Sequence, residues 1–165
     1  MRDFSRDRTF PLVVIPFRGF LSLLTVEDQP RALLNIKRHL TPGARLIFNI
    51  FVPDLDMLVQ EGDVPYHFRD VTDSVTGHRY VLWHQSRYDN YNQIIDARII
   101  AEELDESGTM TRRFYRDFRL RYVYRWEMHH LLEKCGFEVI DLHGNFARSP
   151  FDENSTEMVW VCGLA

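Results

Sequence analysis

Closely spaced glycines are missing from this chain. Its eight glycines stand at 19, 43, 62, 77, 108, 136, 144 and 163, and no two form G-x-G, so the tight turn that lets backbone amides approach a dinucleotide pyrophosphate is not written here. Seven histidines are present (39, 67, 78, 84, 129, 130 and 143), but none falls into an H-x-x-x-H or H-E-x-x-H pair. With no cysteine spacing suited to zinc either, the common metal signatures are excluded. No G-x-S-x-G turn accompanies a serine, histidine and aspartate in order, so acyl hydrolysis has no support. Cys135 and Cys162 are the only cysteines; both adjoin or lie in apolar segments and read as buried thiols rather than a disulfide. There is no run of 18 apolar residues, and the amino terminus lacks the apolar core of a signal peptide. Neither a membrane span nor export is indicated, and a cytoplasmic location is expected. Excess positive charge is lacking as well: a net charge of -4 and a pI near 6.0 give no general pull toward nucleic acid or anionic membranes.

What is present reads as α/β. At 165 residues and 45% hydrophobic content, the chain can bury one core, so a single domain over 1–165 is expected. Phe10 to Pro16 is a continuous apolar run of strand length, the pattern of a strand buried on both faces. Ala32, Leu33, Ile36 and Leu40 recur at helical spacing within Val26 to Leu40. Thr25 and Asp28 stand at capping-box spacing ahead of that helix, and Thr41-Pro42-Gly43 ends it. Arg45 to Val52 follows as a second buried strand, which makes one strand-helix-strand unit with a parallel, right-handed crossover. Later, Trp126 to Lys134 predicts a helix stopped by Gly136, and strands are predicted over Phe137 to Leu142 and Glu157 to Gly163. The run at Phe10 has only the charged MRDFSRDRT ahead of it, so an upstream portion of the fold is expected to lie elsewhere.

Between these parts, period two governs Gly77 to Arg125. Phe114, Phe118, Leu120, Tyr122, Tyr124 and Trp126 share one parity, while Arg113, Asp117, Arg119, Arg121 and Arg125 share the other. Paired to Ile94 to Leu104 through a two-residue turn at Ser107-Gly108, this segment sets Asp96 against Arg119, Arg98 against Asp117 and Glu102 against Arg113. A slip of one residue destroys both the charged and the apolar pattern. His78 to Tyr88 supplies a third strand, with a turn in Asp89 to Asn92. A three-stranded antiparallel sheet inserted over 77–125 is therefore predicted, serving as a lid or an interface. The alternation of arginine and aromatic residues suggests a single-strand nucleic-acid platform, but the two kinds occupy opposite faces and acidic partners neutralise the arginines, so nucleic acid is disfavoured.

The stretch FPLVVIPFRGFLSLLTVEDQPRALLNIKRHLTPGARLIFNIFVPDLDML resembles the fourth strand, following helix and fifth strand of class I S-adenosylmethionine-dependent methyltransferases. LLEKCGFEVIDLHGNF and EMVWVCGLA resemble their closing helix and final strand pair. Leu40-Thr41-Pro42-Gly43-Ala44 departs from the family's leucine-lysine-proline-glycine-glycine turn at its second glycine. The resemblance implies a partial Rossmann-like methyltransferase sheet comprising the later strands and helices, with the antiparallel sheet inserted. It also implies S-adenosylmethionine as cofactor and a small-molecule methyl acceptor. The family's glycine-rich turn after the first strand and acidic residue after the second have no counterpart here. They would occupy two strand-helix units and a strand, on the order of 60 residues. A fragment or mis-started frame, a loss of that half, or a homodimer or partner chain supplying it would each account for this.

Ligands in open α/β sheets lie beyond the carboxyl ends of the strands. By resemblance, Pro16, Phe17 and Arg18 run beside the methionyl part of the cofactor, with Arg18 able to pair with a carboxylate. Phe20, Pro53 and His143 fall on the acceptor side, His143 as a candidate general base. Read from the residues alone, Phe17 and Phe20 equally suit core positions at a helix entrance, Arg18 a surface arginine and His143 a structural histidine. Two functions remain: the C-terminal portion of a small-molecule methyltransferase, or a non-catalytic α/β module that associates through the exposed edge of Phe10 to Pro16.

Overall fold

The Thr25 hydroxyl stands just ahead of the first helix, whose N-cap is Glu27. The Asp28 amide donates to Thr25 Oγ1 at 3.1 Å, and α1 runs over Asp28–Arg38 with Ala32, Leu33 and Ile36 buried. The computed structural model describes residues 1–59 and 62–165. They form two compact units, Met1–Asp54 with Arg121–Ala165 and Leu55–Leu120. No helix among the described residues is long and apolar enough to cross a membrane.

The first unit is built on a four-stranded sheet of β1 (Phe10–Ile15), β2 (Leu40–Phe51), β7 (Phe137–His143) and β8 (Glu157–Leu164), in the order β1-β2-β8-β7. β1 and β2 are parallel, with Val13↔Leu46 and Ile15↔Phe48. β8 is antiparallel to both β2 and β7, so β1, β2 and β7 point the same way and β8 alone opposes them. The expected strand-helix-strand unit is thus present. β2 begins earlier than predicted and passes through Pro42-Gly43, because Gly43 at φ 75° supplies an irregular opening that the shift between Phe10 and Leu12 accommodates.

Register divides the sheet into two faces. Leu46, Phe48 and Ile50 of β2 face the same side as Met158, Trp160 and Cys162 of β8, and all six are buried. With them are buried Phe20 and Leu21 of a one-turn 3-10 helix (Gly19–Ser22), the apolar stripe of α1, and Met128 and Leu132 of α3 (Arg125–Lys134). The opposite face carries Val14, Ile47, Val159 and Val161. β1 was predicted to be buried on both faces. Only one of its faces is covered: Ile15 is buried, while Leu12 and Val14, on the face opposite the helices, remain 49% and 52% exposed. The expected exposed edge is present, since among the described residues only β2 pairs with it.

The amino-terminal arm is held on α1 rather than free. Asn35 Nδ2 donates to the carbonyls of Met1 and Phe4 (3.1 and 3.0 Å). Buried His39 donates from Nδ1 to the Asn35 carbonyl (2.8 Å) and accepts the Arg6 amide at Nε2 (3.1 Å). Ion pairs Arg2–Asp28 and Arg31–Asp3 complete the clasp. Both cysteines are free and buried, as predicted. Burial pushes the Cys162 thiol up to about 12, which leaves it unreactive as a nucleophile.

The second unit contains a short helix α2 (Leu55–Leu58) and a sheet of β3 (Tyr66–Thr72), β4 (Arg79–Asp89), β5 (Ile94–Leu104) and β6 (Met110–Arg121), all in sequence order. The inserted sheet therefore has four strands rather than three, and the unit spans 55–120 rather than 77–125. The additional strand β3 pairs antiparallel with β4, Val71 opposite Tyr80. The predicted ionic partners meet: Arg98 with Asp117 (2.6 Å), Arg119 with Asp96 (2.6 Å) and Arg113 with Glu102 (2.5 Å). The Arg98 hydrogen bond holds the Asp117 carboxyl below its ordinary range. The turn differs from the two-residue one predicted. Asp105 N donates to the Thr109 carbonyl and Gly108 N to that of Asp105, leaving a three-residue loop in which Gly108 adopts φ 84°, a conformation suited to glycine. The ionic contacts nevertheless join the partners expected from the alternation.

Candidate functional site

Beyond the carboxyl end of β1, Pro16 to Gly19 make a tight turn in which the Gly19 amide donates to the Pro16 carbonyl (3.0 Å). Phe17 and Arg18 both have positive φ, 55° and 57°. For non-glycine residues each such conformation costs about 1–3 kcal/mol and persists only where the surroundings hold it. Here the surroundings are visible. The Arg18 amide donates to Asn49 Oδ1 (3.4 Å), and Arg18 Nε and Nη2 both donate to Glu157 Oε1, the former at 2.8 Å. Asn49 Nδ2 donates to Glu157 Oε2 at 3.1 Å, and the Arg18 guanidinium lies 5.3 Å from the centroid of the Phe51 ring. Asn49 is opposite Val159 and Phe51 is opposite Glu157 in the ladder, so three strands converge on one turn.

A cavity of about 620 Å³ opens beside it, lined by Pro16, Phe17, Arg18, Asn49, Phe146 and Glu157 over the sheet residues Val14, Ile47 and Val159. A second hollow of about 380 Å³ shares Ile47, Phe146 and Val159 with the first and adds Asp141, His143 and Arg148. Both lie on the sheet face opposite the helices. Phe146 belongs to a loop tied by Asn145, whose Oδ1 accepts the amides of Ala147 (2.9 Å) and Ser149 (3.2 Å).

The structure thus brings Pro16, Phe17 and Arg18 together in one cavity and places His143 in the adjoining hollow. Phe20, expected on the acceptor side, is instead fully buried, with its ring centroid 5.4 Å from that of Phe48. The 3-10 helix turns it into the core, so it cannot meet an acceptor in this conformation. Pro53 is buried and lines neither hollow. Asn49, Phe146 and Glu157 were not anticipated. The only local signal was Asn49, a lone amide inside the apolar run RLIFNIFV. Among the described residues no group of three or more histidine, cysteine or acidic side chains could hold a metal ion. In the second unit, the Tyr66 hydroxyl and His84 Nδ1 share a hydrogen bond at 2.5 Å. Burial holds His84 below its ordinary value.

No family model and no curated protein matches the sequence. Solved structures do. The CcbJ methyltransferase from Streptomyces caelestis is 25% identical with a TM-score of 0.75 over 96% of this chain. An S-adenosylmethionine-dependent methyltransferase from Clostridium acetobutylicum is 14% identical with a TM-score of 0.80 over 99%. CalS10, an amino pentose methyltransferase from Micromonospora echinaspora solved with S-adenosylmethionine bound, is 18% identical with a TM-score of 0.73 over 99%. This chain spans 62% of the length of each of those chains. With three co-directional strands, one reversed strand between two of them and an added antiparallel sheet, the chain has, over its own length, part of the fold of class I S-adenosylmethionine-dependent methyltransferases.

Proposed function

We propose that this chain forms the acceptor-side part of an S-adenosylmethionine-dependent methyltransferase acting on a small molecule. The observation that carries this reading is the cavity at the carboxyl ends of the co-directional strands, walled by a strained turn and by Asn49 and Glu157. Similarity to an amino pentose methyltransferase supports an amino-sugar-like acceptor.

The residues present suit the methionyl end of the cofactor. Val14, Ile47, Phe17 and Phe146 offer apolar walls, while Glu157, Arg18 and Asn49 offer one carboxylate, one guanidinium and one amide. Bound there, the cofactor supplies a methyl group activated by a sulfonium. Protein side chains then contribute chiefly by aligning the acceptor and excluding water. His143, in the adjoining hollow, would take the proton released by an amine or hydroxyl acceptor.

Amide chemical shifts of the 165-residue chain, followed while S-adenosylhomocysteine is added, test the reading. Shifts at Phe17, Arg18, Asn49 and Glu157 are expected, and they should be lost in Ile47→Glu. Unmoved amides around both hollows at millimolar ligand would sink it.

A second reading rests on the exposed Leu12 and Val14 of edge strand β1. In it the chain is a non-catalytic module that pairs through this edge, with a second copy or a partner chain covering it. Sedimentation equilibrium should then give a mass above 19.7 kDa that rises with concentration. A monomer throughout would remove this reading.

A further inference from the structure

Among the described residues that line the 620 Å³ cavity, Glu157 is the one carboxylate and Arg18 the one guanidinium, and they are bound to each other. Their situations are unequal. Glu157 begins a central strand, its side chain is 13% exposed, and the amide of buried Asn49 fixes its second oxygen. Arg18 is 46% exposed on that side chain and projects from the left-handed turn next to Phe17, which is 95% exposed. The carboxylate is therefore held in place, while the guanidinium can rehydrate by swinging outward.

An exposed ion pair contributes little to stability, because water compensates most of what is lost when it opens. Leaving Glu157 unpaired against apolar walls is the costly state. A cationic ligand avoids it by taking Arg18's place as Arg18 departs.

We propose that Glu157 is the cation-recognising residue of this cavity and that Arg18 is its internal counter-ion, exchanged for a sulfonium or ammonium group on binding. The inference rests on the cofactor reading above and adds specificity to it. S-adenosylmethionine carries a positive sulfur and S-adenosylhomocysteine a neutral one. A carboxylate in the cavity favours the former, and Arg18, returning to Glu157, favours release of the latter.

Affinities of both ligands for the wild-type chain, Glu157→Gln and Arg18→Gln, from the same amide shifts, test this. A charge-charge contribution of this kind corresponds to about a tenfold preference for S-adenosylmethionine in the wild type. Glu157→Gln, which keeps the shape and can still accept from Asn49, should bring the two affinities together. Arg18→Gln should tighten S-adenosylmethionine more than S-adenosylhomocysteine by removing the competitor. If Glu157 served only to brace the turn, its replacement would weaken both ligands equally and preserve their ratio, which would overturn the proposal. Equal affinities in the wild type would overturn it too, while leaving the cofactor reading intact. Binding of neither ligand would remove both.

Discussion

Phe48→Ala is expected to lower the free energy of unfolding by about 3–5 kcal/mol, read from urea denaturation. Phe48 occupies the middle of β2, and its ring lies between those of Phe20, 5.4 Å away, and Trp160, 6.3 Å away and nearly parallel. All three are among the fully buried side chains. Truncation at Phe48 removes the shared member of both contacts, and strands anchored by hydrogen bonds on either side cannot close in to fill the space. Since whole domains are stable by about 5–15 kcal/mol, the variant should sit near the limit of folding. Phe48→Leu keeps most of the volume and should lose less than about 1.5 kcal/mol. Trp160 reports on the same packing, so its emission should shift to longer wavelength in Phe48→Ala. A loss no greater in the alanine variant than in the leucine variant would show that this part of the sheet repacks.

The contrast between what could and could not be read in the sequence follows from how far each interaction reaches along the chain. The Thr25 hydroxyl ahead of α1, the stop at Gly136 and the alternation through β5 and β6 are local patterns. α3 and both strands formed where expected, whereas α1 starts two residues later and ends at Arg38, short of the predicted Leu40. The Arg98–Asp117 and Arg119–Asp96 pairs were legible because a single turn relates their strands. β3 was not legible: YHFRDVT is largely exposed and has no clean apolar alternation, so its place depends on backbone pairing with β4. Phe20 could not be assigned because an aromatic residue after a strand has the same sequence signature whether it lines a ligand cavity or fills the core. Pro16 to Arg18 were placed by topology, which fixes where strand ends gather. Glu157 could not be. Its partner Arg18 is 139 positions away, and nothing at either position announces the other.

Arg121→Ala is expected to cost about 3–5 kcal/mol, the penalty of removing one partner from a buried ionic contact. Strand parity groups Arg121 with the exposed Arg113 and Arg119, yet it is 5% exposed. The reason is that β6 ends at this residue and the chain enters α3, where the alternation no longer governs. Arg121 Nη1 donates to Gln29 Oε1 of α1 (3.2 Å), and Nη2 donates to Glu127 Oε1 of α3 (2.8 Å). Gln29 is itself buried and donates to the Leu23 carbonyl at 3.3 Å. One guanidinium therefore joins the two helices that cover the sheet, and its loss deprives a buried amide oxygen and a carboxylate of their donor together. Arg121→Lys keeps the charge but not the planar fork that serves two acceptors, so it should recover only part of the stability. A double-mutant cycle with Glu127→Gln should show coupling of about 0.5–3 kcal/mol, as expected for residues in one network. Additive losses would mean that Arg121 acts through its packing alone, and a change below about 1 kcal/mol in Arg121→Ala would mean that water replaces it at the junction.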